Sequence, residues 1–163
     1  MGVEIERKFL VTGDAWRAAA ASREVLRQGY LANTGRASVR VRRAGDAAWL
    51  SVKSMTRAIV RDEYEYPIPM ADADAMLDRL CDGPRVEKVR HLVTVGAHAW
   101  EVDEFLGDNA GLVVAELELD DADEPFERPA WLGAEVTHLE RYYNFNLATR
   151  PYSQWPAHER GCG

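Results

Sequence analysis

Apolar and polar positions in this chain alternate over short segments rather than recurring at helical spacing. Segments 3–11, 24–31, 37–43, 47–54, 58–68, 85–95, 98–106 and 113–120 are rich in Val, Ile, Leu, Tyr, Trp or Phe with polar residues between, the period of a strand whose two faces meet different surroundings. Eight strands are therefore predicted. Turn chemistry at Arg43-Ala44-Gly45-Asp46 and Gly96-Ala97-His98 joins neighbours as antiparallel hairpins. Helix signals are few: Asp14 before 15–21, Asp72 or Asp74 before a helix running to about Cys81, and 137–148 near the C-terminus. Residues 1–150 read as one domain and 151–163 as a loosely ordered tail. The class is mainly β (α+β), a closed barrel or a sandwich.

The two faces are sharply divided. One carries Glu4, Glu6 and Lys8; Arg40 and Arg42; Lys53; Arg61, Glu63 and Glu65; Lys88 and Arg90; Glu101 and Asp103; and Glu116 and Glu118. The other carries Ile5, Phe9, Val39, Val41, Leu50, Val52, Val102, Leu117 and Leu119. For a single strand, a charged face is ordinarily the solvated one. Repetition along nearly the whole set suggests the inside of a barrel instead, where each ion costs several kcal/mol of desolvation unless water, metal or ligand compensates. Such a lumen must be wet and must bind something.

Composition narrows the ligand. The 163 residues carry 27 acidic and 20 basic side chains, a net charge of −7, so general attraction to nucleic acid or anionic membrane is not expected and an anion must be caught locally. Only three of the 20 cations are lysines, Lys8, Lys53 and Lys88, and all three fall on the charged faces. No apolar run approaches the ~20 residues of a membrane span. Charges inside the opening MGVEIERKFL argue against a signal peptide, and a cytoplasmic location is expected. Cys81 and Cys162 are expected to be free thiols, since neither has a partner at metal-ligand spacing. Without an HExxH, GxSxG or Gly-rich phosphate loop, zinc-protease, serine-hydrolase and P-loop chemistries fall away.

Paired carboxylates two apart on a strand, Glu4/Glu6 and Glu116/Glu118, offer hard oxygen ligands suited to Mg²⁺ or Mn²⁺. Cation pairs at the same spacing, Arg40/Arg42 and Lys88/Arg90, can clamp successive phosphates. Together they describe a phosphoryl-transfer site.

The opening Glu4-Ile5-Glu6-Arg7-Lys8-Phe9-Leu10-Val11 resembles the signature of the CYTH superfamily, the triphosphate tunnel metalloenzymes. Further matches follow in order: Arg27-Gln28-Gly29-Tyr30-Leu31, Val39-Arg40-Val41-Arg42, Leu50-Ser51-Val52-Lys53-Ser54, Arg61-Asp62-Glu63-Tyr64-Glu65, Val86-Glu87-Lys88-Val89-Arg90, Val102-Asp103-Glu104-Phe105 and Ala115-Glu116-Leu117-Glu118. The resemblance spans about residues 2–148 and is nearest to the short bacterial inorganic tripolyphosphatases. It implies an eight-stranded antiparallel tunnel with a C-terminal helix near one mouth, Glu4, Glu6, Glu116 and Glu118 as metal ligands, and Glu63, Glu65 and Asp103 as supporting or water-orienting carboxylates. Lys8, Arg40, Arg42, Lys53, Arg61, Lys88 and Arg90 would hold phosphates, and Lys8 with Tyr30 resembles a pair used in catalysis. Tyr143 stands where relatives often have lysine.

The expected activity is hydrolysis of inorganic tripolyphosphate to pyrophosphate and phosphate with Mg²⁺ or Mn²⁺, by a monomer or homodimer whose partner is the small-molecule triphosphate. Rivals within the family are hydrolysis of nucleoside or thiamine triphosphates and cyclisation of ATP, which need a base-sized pocket near Trp49, Tyr64 or Phe105. A rival of another class is a polyphosphate-binding module without turnover. Two carboxylate pairs beside the anion argue against that last reading.

Overall fold

The computed structural model describes residues 2–56 and 58–160; Cys162 lies outside them. Nine strands form: β1 (Gly2–Val11), β2 (Ala20–Asn33), β3 (Ala37–Ala44), β4 (Ala47–Ser54), β5 (Val60–Pro67), β6 (Asp82–Val95), β7 (His98–Phe105), β8 (Val113–Glu118) and β9 (Leu132–Glu135). Their order is β5-β4-β3-β2-β6-β7-β8-β1-β9, every pairing is antiparallel, and β5 also pairs with β1. That last pairing closes the ring. Gly2–Ile5 of β1 lies against β5, and Glu6–Leu10 lies against β8. The eight expected strands are the eight of the ring.

β9 was not expected as a strand. It pairs with β1 at Phe9 and Val11, beyond the reach of β5. There it covers backbone that would otherwise be an open sheet edge. Gly133 permits the approach, since a Cβ there would stand 3.0 Å from the Leu10 carbonyl oxygen.

The helices differ from expectation in extent. Segment 15–21 gives one turn, α1 (Trp16–Ala19), with no side-chain cap from Asp14; pairing of Ala20 with Val93 draws the chain into β2. α2 (Met70–Arg79) starts ahead of Asp72, because the Pro69 carbonyl already accepts the Ala73 N–H at 3.0 Å. The helix expected over 137–148 splits into a 3-10 turn at Glu140–Tyr142 and α3 (Asn144–Thr149). Extended backbone at Tyr143 separates them, its hydroxyl donating to the Thr137 carbonyl at 3.0 Å.

The segment expected as a loose tail is docked as far as Arg160. Trp155 is 3% exposed, its indole N–H donates to the Arg150 carbonyl, and its ring meets those of Tyr142 and Tyr152 edge-on. It belongs to an apolar cluster with Leu10, Tyr30, Val86, Phe105, Val114 and Leu147. Burying large aromatic rings supplies the packing energy that a featureless polar tail would lack. This cluster joins the C-terminal elements to apolar positions of β1, β2, β6, β7 and β8, at one end of the ring. Two further clusters line its outside, one under α1 around Trp16 and Trp100, the other under α2 around Val41 and Leu77.

Candidate active site

The strand faces that alternate toward the inside of the ring enclose a cavity of about 670 Å³. Glu4, Glu6 and Lys8 from β1, Tyr30 from β2, Arg40 and Arg42 from β3, Lys53 from β4, Arg61, Glu63 and Glu65 from β5, Lys88 and Arg90 from β6, and Glu116 and Glu118 from β8 all line it. Strand period and antiparallel register are sufficient cause. Lys8 is opposite Glu116, Glu6 opposite Glu118 and Lys53 opposite Glu63, so groups of opposite and like charge meet at cross-strand distance.

Asp103 alone of the expected set is not on the cavity wall. It is 0% exposed, bound by Lys88 Nζ at 2.6 Å and by Arg90 through two bonds of 2.8 Å. Burial alone would raise its pKa, but the two cations overcome this and hold it below the ordinary carboxylate range. Both oxygens of Asp103 are bonded by Lys88 and Arg90, two cations of the cavity wall, and the carboxylate holds them in place.

The remaining ions pair across the lumen. Lys53 Nζ is 2.7 Å from Glu4 and 3.8 Å from Glu63. Lys8 Nζ is 3.4 Å from Glu116 and donates to the Tyr142 carbonyl at 3.3 Å. Arg90 also pairs with Glu101, and Glu65 accepts from Ser51 at 2.9 Å and Arg42 at 3.3 Å. Tyr30 and Lys8 share the cavity but their contacts diverge: Tyr30 stands opposite Arg40 on the ladder and its ring meets Phe145. Burial raises the Tyr30 pKa, which keeps it a neutral donor.

Carboxylates also meet one another. Glu63 has Glu4 beside it, and Glu6 has Glu4 and Glu116, so ionising all of them together is opposed by like charge. Burial and the charges of Glu116 and Glu4 push Glu6 well up, and burial with Glu4 beside it raises Glu63 to about 7. Burial opposes ionisation of Glu116 too, yet Lys8, Lys88 and Arg90 hold it well below the usual range. Hard oxygens gathered on one wall, with Glu6 and Glu63 shifted toward their protonated forms, fit a divalent cation that would displace those protons. Among the described residues no preformed cage of three or more acidic or other ligating side chains exists. Mg²⁺ and Mn²⁺ do not require one, since they bind through one or two carboxylates and complete their shells with water and phosphate oxygens.

Three lining groups, Ser51, Glu101 and Asn144, were outside the expected set. Ser51 and Glu101 were legible from their strand faces. Asn144, whose side chain accepts from Lys88 Nζ at 3.2 Å, depends on where α3 begins and had no local signal. Tyr143 fills part of one wall, its ring 4.9 Å from the Arg61 guanidinium and 5.8 Å from Lys8 Nζ. An aromatic face thus stands beside cations where a lysine would add repulsion. Of the aromatics considered for a base pocket, Phe105 is packed in the apolar cluster and Trp49 lies against Arg42. Tyr64 lines the cavity but is 49% exposed.

The CYTH domain model matches residues 2–152. The chain belongs to the CYTH family. It is 46% identical over 155 residues to a protein named inorganic triphosphatase from Acetivibrio thermocellus, covering 95% of this chain and 99% of that one. A second protein of that name, from Nitrosomonas europaea, is 36% identical, with 89% and 96% covered. A crystal structure described as an inorganic triphosphatase superposes with a TM-score of 0.63 at 34% identity, over 91% of this chain and 95% of that one. A protein from Pyrococcus horikoshii shares the fold at a TM-score of 0.58 and 16% identity, over 74% and 81%. The closed, charge-lined ring is thus a CYTH tunnel. No helix among the described residues is long and apolar enough to cross a membrane.

Proposed function

We propose that this CYTH protein hydrolyses inorganic tripolyphosphate to pyrophosphate and phosphate with Mg²⁺ or Mn²⁺ as cofactor. The observation that carries the reading is one cavity of about 670 Å³ whose wall joins Lys8, Arg40, Arg42, Lys53, Arg61, Lys88 and Arg90 to Glu4, Glu6, Glu63, Glu116 and Glu118. The names of the two curated relatives point to the same substrate.

The cations have the reach and number to neutralise a linear polyanion, and guanidinium forks at Arg40, Arg42 and Arg90 suit bidentate contact with phosphate oxygens. Asp103 fixes Lys88 and Arg90, so these two are set in place before substrate arrives. Glu4, Glu6, Glu116 and Glu118 would hold the metal, with Glu63 beside them. When bound, the ion supplies Lewis-acid polarisation of phosphate oxygens. Glu65, held by Ser51 and Arg42, would accept a hydrogen bond from an attacking water. Tyr30 and Lys8 supply a neutral and a charged donor at the same end of the cavity as the aromatic wall of Tyr143 and Phe145.

Phosphate release measured over tripolyphosphate, ATP and thiamine triphosphate, with and without Mg²⁺ or Mn²⁺, tests the reading. Preference for tripolyphosphate is expected; comparable or faster turnover of ATP or thiamine triphosphate would replace the substrate assignment.

A further inference from the structure

Gln28 shares the inward strand face with Arg42 without lining the cavity itself, and the paired charges do not explain its placement. It sits between Leu26 and Tyr30 on the inward face of β2, directly opposite Arg42 of β3 and Val86 of β6. Its side chain is 0% exposed, and neither Nε2 nor Oε1 has a hydrogen-bond partner. The Nε groups of Arg42 and Arg40 are likewise buried and unpartnered. Arg42 is directly across the ladder from Gln28, and Arg40 is two residues along the same strand face, opposite Tyr30. An apolar side chain of the same length would fill the space at no polar cost, so an amide here requires something to bind.

We propose that Gln28 is a positioning residue for substrate binding: through one buried water it holds the guanidinium groups of Arg42 and Arg40 in the orientation that receives a phosphate. The inference rests on reading the cavity as a triphosphate site. A water fits the donor and acceptor count, because it can accept from the two arginine N–H groups and donate to the glutamine carbonyl. Neutrality is the second part of the argument. Lys8, Arg42, Lys53, Lys88 and Arg90 each pair with a carboxylate within 3.5 Å. Arg40 reaches its nearest carboxylates only at 3.8 and 4.0 Å. An acid at position 28 would set a second carboxylate on Arg42 and bring a negative charge toward Arg40. The amide orients both guanidinium groups without adding that charge.

The test is calorimetric binding of inorganic tripolyphosphate to the full chain in the absence of divalent metal, beside thermal unfolding, for wild type and for Gln28→Met and Gln28→Glu. Both variants are close in size to glutamine. Gln28→Met is expected to unfold at the wild-type temperature or above it, while its dissociation constant rises about tenfold or more, the usual worth of a hydrogen bond to a charged group. Gln28→Glu should bind more weakly still, because its carboxylate competes with phosphate for Arg42. Wild-type binding with both variants within twofold of it would overturn the inference, as would a fall in unfolding temperature with affinity unchanged, which would make Gln28 a scaffold residue only. Failure of the wild type itself to bind tripolyphosphate would instead overturn the reading of the cavity, and this inference with it.

Discussion

Lys88 Nζ lies 2.6 Å from Asp103 Oδ2, with 1% and 0% of the two side chains exposed. Arg90 closes on the same carboxylate from the other side. One buried anion thus fixes two cations of the tunnel, one of which, Lys88, burial holds below the ordinary lysine range even with Asp103 beside it. Asp103→Ala is expected to cost about 3–5 kcal/mol, because it takes the close carboxylate from buried Lys88 and leaves Arg90 with Glu101 and Glu116 alone. Lys88→Met leaves Asp103 bound to Arg90 and should cost less stability while weakening tripolyphosphate binding. Urea denaturation with calorimetry separates the two; equal stability losses would contradict this division of roles.

The carboxylate pairs give a second prediction. Glu4→Gln and Glu118→Gln should remove metal-dependent turnover with near-ultraviolet circular dichroism unchanged, because each variant keeps the shape and loses a hard anionic oxygen. Glu4→Gln also takes from Lys53 its carboxylate at 2.7 Å, leaving Glu63 and Glu6 to answer it. Wild-type rates for either variant across a metal titration would remove that residue from the ligand set.

Acid pairing sets a pH dependence. The folded-state pKa values of Glu63, at about 7, and of Glu6 are raised by burial and neighbouring carboxylates. These groups bind more protons folded than unfolded, so their effect on stability worsens as pH climbs from about 4.5 toward 7. Glu116 and Asp103 are shifted down, and the stability they contribute above the unfolded carboxylate range is lost as pH falls through their folded values. Metal should displace the protons held on Glu63 and Glu6. Its binding is therefore expected to release protons at pH 6 and fewer at pH 8.5, measured by titration calorimetry in buffers of different ionisation enthalpy. Release that does not fall with pH would show that these acids are not displaced.

Docking of the C-terminal segment carries a prediction for stability. Trp155→Ala removes a ring packed against Tyr142 and Tyr152 and should cost about 3–5 kcal/mol. It also loosens the apolar cluster at the end of the tunnel. Scanning calorimetry should show a lowered unfolding temperature; an unchanged one would mean that the docked segment adds nothing to the fold.

The ring was legible because its signal is local. Alternation along Val39-Arg40-Val41-Arg42 or Ala115-Glu116-Leu117-Glu118 reports two faces whatever the partner strand, and the charged face is the tunnel wall. What was not legible depends on distant contacts. Leu132–Glu135 is too short to show a period and becomes a strand because β1 offers it an edge at Phe9 and Val11. The charged faces placed Asp103 with the site, yet its position behind Lys88 and Arg90 rather than on the wall follows from packing. Segment 151–160 lacks periodicity, and its order comes from Trp155 finding Tyr142, a pairing that no local pattern announces.

The central claim is that the tunnel splits tripolyphosphate once, with metal. Phosphorus-31 NMR of tripolyphosphate incubated with the protein and Mg²⁺ or Mn²⁺ tests it directly. The account predicts one phosphate and one pyrophosphate for each tripolyphosphate consumed, and no change when the metal is chelated. Tripolyphosphate bound but intact with either metal would contradict it and identify a binding module.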